Sequence, residues 1–543
     1  MTNRTRLIAA LFSALFFILI TAAPAGQRRL EPRKPAPRRN SRGLGLREST
    51  PEEMAAFRRN SRRVGRAAPN DLAVKRIMAA RNVRSSRSRE VAPRAAARGA
   101  ELSGTAPAMR DDDLDLLGSV MNDRENTFPP VGNQGSIGAC VHWAATYYML
   151  TNNTALARGW DAKSDSKLRF SPRWTYNANN MGVDAGDTIP NSLKYLRGFG
   201  SAMQHEFDYL DPDHPDGDNP REYQELSGDP ELWKNALRFR PTDHSYYVDN
   251  LETPGGLANL KSVLANGYVL AFPTYIFGWK YGVIENGPYE GQNCAVYMIK
   301  DEKSRHAMTI VGYDDGVWVD ANENGREDSG ETGALRIANS WGPEWEDGED
   351  GFAWVLYDAL RAESQIPGFA SGGREPLIRG GIAYFLMARE DYEPLLLGEV
   401  ILSSNRRCDV QMWAGMGKGP QLEVEDENKW LPNLFDEETN VSLTGIPGRP
   451  GLTTYLDFTD LVTDSGAKIW AIAVEDRFPG NEIAVEKFRL LQLSGGDWEA
   501  SDWHPDCPIR FDDEKWLIWF NHAFGDEMRR LVRGAASRAA DRR

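Results

Sequence analysis

Cysteine is scarce, with 4 in 543 residues. That excludes a small disulfide scaffold and argues against a zinc site built from four thiolates. Long apolar runs are scarce too: beyond the first 25 residues no segment is long and apolar enough to cross a bilayer. The body also lacks basic charge. Residues 1–110 carry 24 Lys and Arg against 7 Asp and Glu, whereas residues 111–543 carry 40 against 71. A main body with that balance is not a nucleic-acid binder. There is no internal repeat, phosphate loop, zinc spacing or Gly-rich dinucleotide fingerprint, so no organic cofactor is expected.

What is present divides the chain. Charged residues make up 26% and hydrophobic ones 41%, a globular composition, and the length calls for two or three units. Arg4 and Arg6, the apolar run Leu7–Ala23 and the small residues Ala23-Pro24-Ala25 read as a signal peptide over 1–25. The competing reading is an uncleaved anchor. Cleavage implies a secreted, periplasmic or cell-surface protein with no transmembrane span. Residues 26–110 form a basic pro-segment or linker rich in Arg, Ala, Pro and Ser. It is expected either to stay disordered or to dock on the acidic body, with Ser49–Glu53 marking a helix start. A body at 111–390, a strand-rich unit at 391–525 and a basic tail at 526–543 follow.

The chemistry-bearing residues lie in the body. Gly132, Gly135 and Gly138 permit a tight loop, and Cys140 follows it at the start of a helical pattern running through Leu150. A helix N-terminus favours the thiolate. Gln134, on the same loop, can aim an amide N–H at an oxyanion. A strand-like run over 304–313 carries His306 at its mouth, and a second, over 334–339, ends at Asn339. A thiol nucleophile needs a base, and the base needs an acceptor to orient it. Taken alone, Cys140 reads more readily as a buried structural cysteine at an ordinary helix start.

Together these pieces are similar to the motifs of papain-like cysteine peptidases. The matching residues are Asn133-Gln134-Gly135 with Cys140, His306-Ala307 with Val311-Gly312-Tyr313, and Asn339-Ser340-Trp341-Gly342 with Trp345, spanning residues 115–390. The resemblance implies an α+β fold: a two-lobed papain-like catalytic domain, followed here by an all-β sandwich. It implies a polypeptide substrate in a cleft near Gly186 and Trp341, with Cys140, His306, Asn339 and Gln134 catalytic. It also implies a leader removed near residues 100–112, although Phe57, Asn60 and Val64 match the family's inhibitory helix only sparsely. Two departures are Ile137, where the family has a cysteine, and Val141, where it has an aromatic. His142 lies two positions past Cys140, about 200° around a helix, and is expected to face away from the thiol.

Between base and orienter lies Asp320-Ala321-Asn322-Glu323-Asn324-Gly325-Arg326-Glu327-Asp328-Ser329-Gly330-Glu331, which fits the D-x-[DN]-x-[DN]-G-x5-E calcium pattern. The expected ligands of a structural Ca2+ are Asp320, Asn322, Asn324, the Arg326 carbonyl, Asp328 and Glu331. An acidic hairpin tip is the competing reading. Beyond residue 391, short strand-like runs separated by turns predict the sandwich. It would bind carbohydrate or a cell-envelope ligand, or else buttress the catalytic lobes, and Cys408 and Cys507 could pair within it. The expected function is a secreted cysteine endopeptidase working through an acyl-enzyme; the alternatives are a transpeptidase or amidase on cell-envelope peptides with the same site, and a catalytically silent envelope- or carbohydrate-binding protein.

Overall fold

The computed structural model describes residues 43–91, 113–209, 220–369, 372–417, 422–430, 440–461 and 468–522. The signal peptide, the expected cleavage region at 100–112 and the basic tail lie outside them. Among the described residues no helix is long and apolar enough to cross a membrane. The fold is α+β, with a helical lobe, a β-rich lobe and a C-terminal pair of sheets.

The helical lobe is organised by one continuous helix. It runs as Cys140–His142, the π-helical Trp143–Leu150 and Thr151–Arg158, ending at Gly159 in the left-handed conformation. The expected helix over 141–150 is therefore wound as a π-helix and is buried on every side. Buried all round, its register is set by the packing of Trp143, Tyr147 and Tyr148 and not by an amphipathic stripe. Helix Pro172–Asn179 starts at Ser171, whose hydroxyl accepts from Trp174 N at 3.0 Å. Helix Ile189–Phe199 starts at Thr188 in the same way.

The β lobe is built on an 11-stranded mixed sheet. At its centre the long strand Arg305–Trp318 lies between Leu270–Tyr275 and Thr332–Ala338, both antiparallel to it. Helix Pro254–Ala265 precedes the strand Leu270–Tyr275. Thr253 caps it, Pro254 sets its first turn, and Asn266 with Gly267 at φ +90° ends it.

The leader is bound to both lobes. Helix Pro51–Arg59 begins with a reciprocal capping box between Thr50 and Glu53, and buries Phe57 against Tyr247 and Tyr384. Ser61–Arg63 joins the edge of the β-lobe sheet, parallel to Ser245–Val248. In helix Asp71–Val91, Arg76 donates to the carbonyls of Leu264 and Ala265 and pairs with Glu125 at 2.7 Å.

The C-terminal unit is a sandwich of two antiparallel sheets. One orders Gly451–Asp457, Leu396–Ser403, Ile483–Ser494 and Asp497–Ala500, with Ile509–Phe511 also pairing to Ile483–Ser494. The other orders Leu422–Trp430, Val410–Gly417, Lys468–Asp476 and Lys515–His522. Its core is not its own: Trp174, Tyr195, Phe199 and Trp233 of the helical lobe join Leu397, Val400, Trp470 and Phe488 in one buried cluster. All four cysteines are free thiols, so Cys408 and Cys507 do not pair; the Cys408 thiol donates to Asp409 Oδ1 at 3.3 Å.

Candidate active site

Each motif residue is placed by a different element, and the elements meet between the lobes. Cys140 opens the central helix, fully buried. His306 stands second in strand Arg305–Trp318, across from Thr274. Asn339 follows strand Thr332–Ala338, its amide bonded to Gly351 O at 3.0 Å. The Gln134 loop is sewn to that strand end: Gln134 N donates to Ser340 O and Gly342 N to Gly132 O.

His306 Nε2 lies 2.8 Å from Asn339 Oδ1, and Ser340 N donates to the same atom at 2.8 Å. An atom that accepts a backbone N–H is the amide oxygen, so Nε2 carries the proton and Nδ1 keeps its lone pair. Nδ1 is buried without a hydrogen-bond partner. The Trp341 ring covers the imidazole, centroids 4.5 Å apart, and shields the His306–Asn339 bond from water. Burial pushes the His306 ring down to about 4, against the opposing effect of Asn339. Burial pushes the Cys140 thiol up to about 12, although nearby backbone N–H groups of Ala307, Gly45, Val141 and Cys140 favour the thiolate. The thiol thus sits beside the residue that follows His306, and both reacting groups are held neutral.

The leader crosses this site, a place the sequence reading did not give it. Residues 43–48 cross the cleft as a strap. Gln134 Nε2 donates to Gly43 O at 2.8 Å and to Ile137 O at 2.7 Å, while its Oε1 accepts from Ser340 Oγ at 2.6 Å. Trp341 Nε1 also donates to Gly43 O, at 3.2 Å. Asp187 N donates to Gly45 O and Arg47 N to Asp187 O, both at 2.8 Å, pairing Leu46 with Asp187 in parallel. The approach requires glycine. A Cβ on Gly43 would stand 1.9 Å from Ile137 O, one on Gly45 1.7 Å from Gly138 O, and one on Gly186 2.0 Å from Gly45 O. Gly43-x-Gly45 inside an Arg-rich segment is the one sequence signal that could have revealed the strap.

Glu48 ends the strap. Its carboxylate accepts from Tyr275 Oη and Arg305 Nε, each at 3.1 Å, and from Arg379 Nη1. Burial alone would raise this carboxyl, but the Arg305 bond, the Arg379 charge and the Tyr275 hydroxyl outweigh it and hold it below its usual value. Sequence reasoning missed Tyr275, Arg305 and Arg379, because nothing local marks three separate segments as one cluster.

The His142 ring, expected to face away from the thiol, is hydrogen-bonded to Thr175 and Asp187. It is buried, with Nδ1 2.9 Å from Thr175 Oγ1 and Nε2 3.0 Å from Asp187 Oδ2, and so braces the cleft wall. Gly186, at φ +81°, lets that wall meet the strap.

The acidic loop after strand Arg305–Trp318 stands apart from the cleft residues. Asp320 accepts from Asn324 N and Gly325 N, and the buried Glu331 accepts from Ala321 N, Asn322 N and Asp328 N. Asn322 and Asn324 donate their amide N–H groups to Asp328, whose carboxyl those bonds lower, while Asn324 Oδ1 accepts from Arg326 N. Gly325 takes the left-handed turn at φ +72°. The oxygen-only donor set suits a hard cation. Among the described residues, however, no three or more His, Cys, Asp or Glu side chains converge as a metal site.

No family model matches the chain, and no curated protein matches it. Among solved structures it is similar to the ragweed pollen allergen Amb a 11, a cysteine protease in its proform. That match has 18% identity, covers 50% of this chain and 65% of that chain, and has a TM-score of 0.31. It is also similar to xylellain, a cysteine protease from Xylella fastidiosa, with 20% identity over 50% of this chain and 86% of that one, TM-score 0.31. A clostridial cysteine protease after propeptide cleavage matches at 12% identity over 74% of this chain and 98% of that one, TM-score 0.32. At these levels the likeness carries nothing about activity.

Proposed function

We propose that this chain is a secreted cysteine endopeptidase, made as a zymogen, that hydrolyses polypeptides through an acyl-enzyme at Cys140. The observation that carries this reading is the oriented base: His306 is fixed at Nε2 by Asn339 with Nδ1 left unpartnered, and Cys140, at a helix start, has the backbone N–H of Ala307, the residue after His306, beside its sulfur. With the strap lifted, water reaches the pair and the thiol proton passes to Nδ1. The thiolate attacks the substrate carbonyl carbon, and the oxyanion accepts from the Cys140 backbone N–H and Gln134 Nε2. Donors of this kind each contribute about 2.7–4 kcal/mol. The Nδ1 proton then goes to the leaving amine, and His306 draws a proton from water as it hydrolyses the thioester.

The strap supports the zymogen reading by what it puts in those places. Gly43 O occupies the Gln134 donor, and a backbone N–H, that of Gly45, faces the sulfur in place of a carbonyl carbon. The arginine-flanked apolar segment at residues 1–25 supports secretion.

The test is hydrolysis of an unstructured protein by the leader-free enzyme and by its Cys140→Ala variant. The wild type is expected to cut, and the variant to be inactive to the limit of detection. Equal cutting by both would remove Cys140 from the site, and product masses separate hydrolysis from transfer to an added amine.

For the acidic loop we propose a structural Ca2+ held by Asp320, Asn322, Asn324, the Arg326 carbonyl, Asp328 and Glu331. Calcium at 100 times its dissociation constant is expected to stabilise the fold by about 2.7 kcal/mol. That appears as a rise in Tm that chelator reverses and Glu331→Gln abolishes. A Tm indifferent to calcium refutes the site.

A further inference from the structure

Strap residue Glu48 reports on the surface it touches. Tyr275, Arg305 and Arg379 all belong to the catalytic body. Tyr275 and Arg305 are cross-strand partners, and the next pair along the same two strands is Thr274 with His306. The cluster therefore begins one residue step from the catalytic base. Arg379 opens the short turn Arg379–Gly381, and its guanidinium lies 4.1 Å from the Tyr275 ring centroid. That stacking holds the planar group flat while its edge reaches the carboxylate. Arg305 has a second carboxylate nearby, Glu302 at 3.6 Å, which leaves Arg379 the larger share of any anion bound here. Arg47 N donates to Asp187 O and Glu48 is the next residue, so the cluster takes the strap directly after the Asp187 contact.

We propose that Tyr275, Arg305 and Arg379 form a substrate subsite that selects an Asp or Glu side chain at one fixed position near the scissile bond. The inference rests on the cysteine-peptidase reading above. Once the leader leaves, Glu48 leaves with it, and Arg379 and the Tyr275 phenol lose their carboxylate partner while Arg305 keeps Glu302. A substrate carboxylate restores the charge-assisted bonds, an amide restores them in part, and a basic side chain adds like charge to the pair. Glu48 is then the leader's imitation of the preferred substrate residue, carried on a backbone whose polarity keeps it uncut.

The experiment uses the full chain with Gly45→Val, which cannot seat the strap because its Cβ would overlap the Gly138 carbonyl. This protein is given a mixture of denatured proteins, and the fragment ends are read by mass spectrometry. Asp and Glu are expected to be enriched about tenfold at one position. Arg379→Gln should flatten that preference, and Arg379→Glu should turn it toward Lys and Arg. A profile flat at every position, or one untouched by both Arg379 variants, overturns the subsite and leaves the peptidase reading standing.

A binding arm separates the two readings. In the Cys140→Ala, Gly45→Val chain, a labelled Gly-Leu-Gly-Leu-Arg-Glu peptide is compared with its Gln-ended form, both amidated at the C-terminus. The Glu form is expected to bind about tenfold more tightly, a ratio that Arg379→Gln abolishes. Equal affinities overturn the subsite. A retained ratio, together with a Gly45→Val chain that keeps Cys140 and still cuts nothing, supports the carboxylate site and sinks the peptidase.

Discussion

The pH behaviour of the strap follows from three side chains. His306 is pushed down to about 4 from 6.5, so the strapped form binds fewer protons than a form in which the ring is hydrated. As pH falls below 6.5, protonation favours opening. Glu48 acts in the same direction, since its carboxyl is held below 4.5 only while clamped. Cys140 is pushed up to about 12 from 9.0, so above pH 9 the open form, which can release that proton, gains instead. The strap is therefore tightest between about pH 6.5 and 9. Trimming of the full-length chain, followed by mass, is expected to run faster at pH 5 than at pH 7.5; a flat or reversed profile counts against the strap. Iodoacetamide labelling of Cys140 at pH 7 should speed up more than tenfold in Gly45→Val.

At the scale of elements, the cleft wall is held from behind. Gly182, on the wall loop, has no room for a Cβ because Val441 of the sandwich would lie 2.7 Å from it. Leu226 N donates to Thr444 O at 2.8 Å. Arg407 is fully buried at this junction and donates to the carbonyls of Leu443, Asn177 and Gln224. Burial pushes its guanidinium down to about 9. Arg407→Ala would strand three carbonyls and is expected to cost about 3 kcal/mol or more, read as a lower denaturation midpoint. Lysine should not rescue it, because its three N–H groups radiate from a single nitrogen and cannot span the carbonyls that Nε, Nη1 and Nη2 of Arg407 reach separately.

At the scale of the whole molecule, the sandwich and the helical lobe share one core. Trp174, Tyr195 and Trp233 are buried by strands of the sandwich. A second tie is Arg240, which pairs with Asp457 at 2.8 Å and with Asp460, whose carboxyl is held low despite its burial by Arg240 and Arg389. This arrangement favours the buttressing role over an independent module. A chain ending at residue 390 is expected to expose that aromatic surface and to aggregate, as followed by size-exclusion chromatography. A monodisperse, cooperatively folded product would show instead that the lobe is self-sufficient.

The sequence by itself determined what is local or carried by a strict motif. The Gly-rich loop into Cys140, the strand ends bearing His306 and Asn339, the helix start at Ser49–Glu53 and the short strands separated by turns after residue 391 were all legible. Each depends on turn chemistry, capping or periodicity within a few residues. The π-helical winding of Trp143–Leu150 was not legible, since a helix buried all round leaves no periodic signature. Nor was the strap, whose two glycines acquire meaning only when Ile137 and Gly138 stand opposite them. The Tyr275, Arg305 and Arg379 cluster, the bracing of Asp187 by His142 and the shared core of lobe and sandwich were likewise decided by tertiary structure alone. These join residues up to several hundred positions apart, and the packing that brings them together is a property of the whole chain, with no echo in the spacing of neighbours.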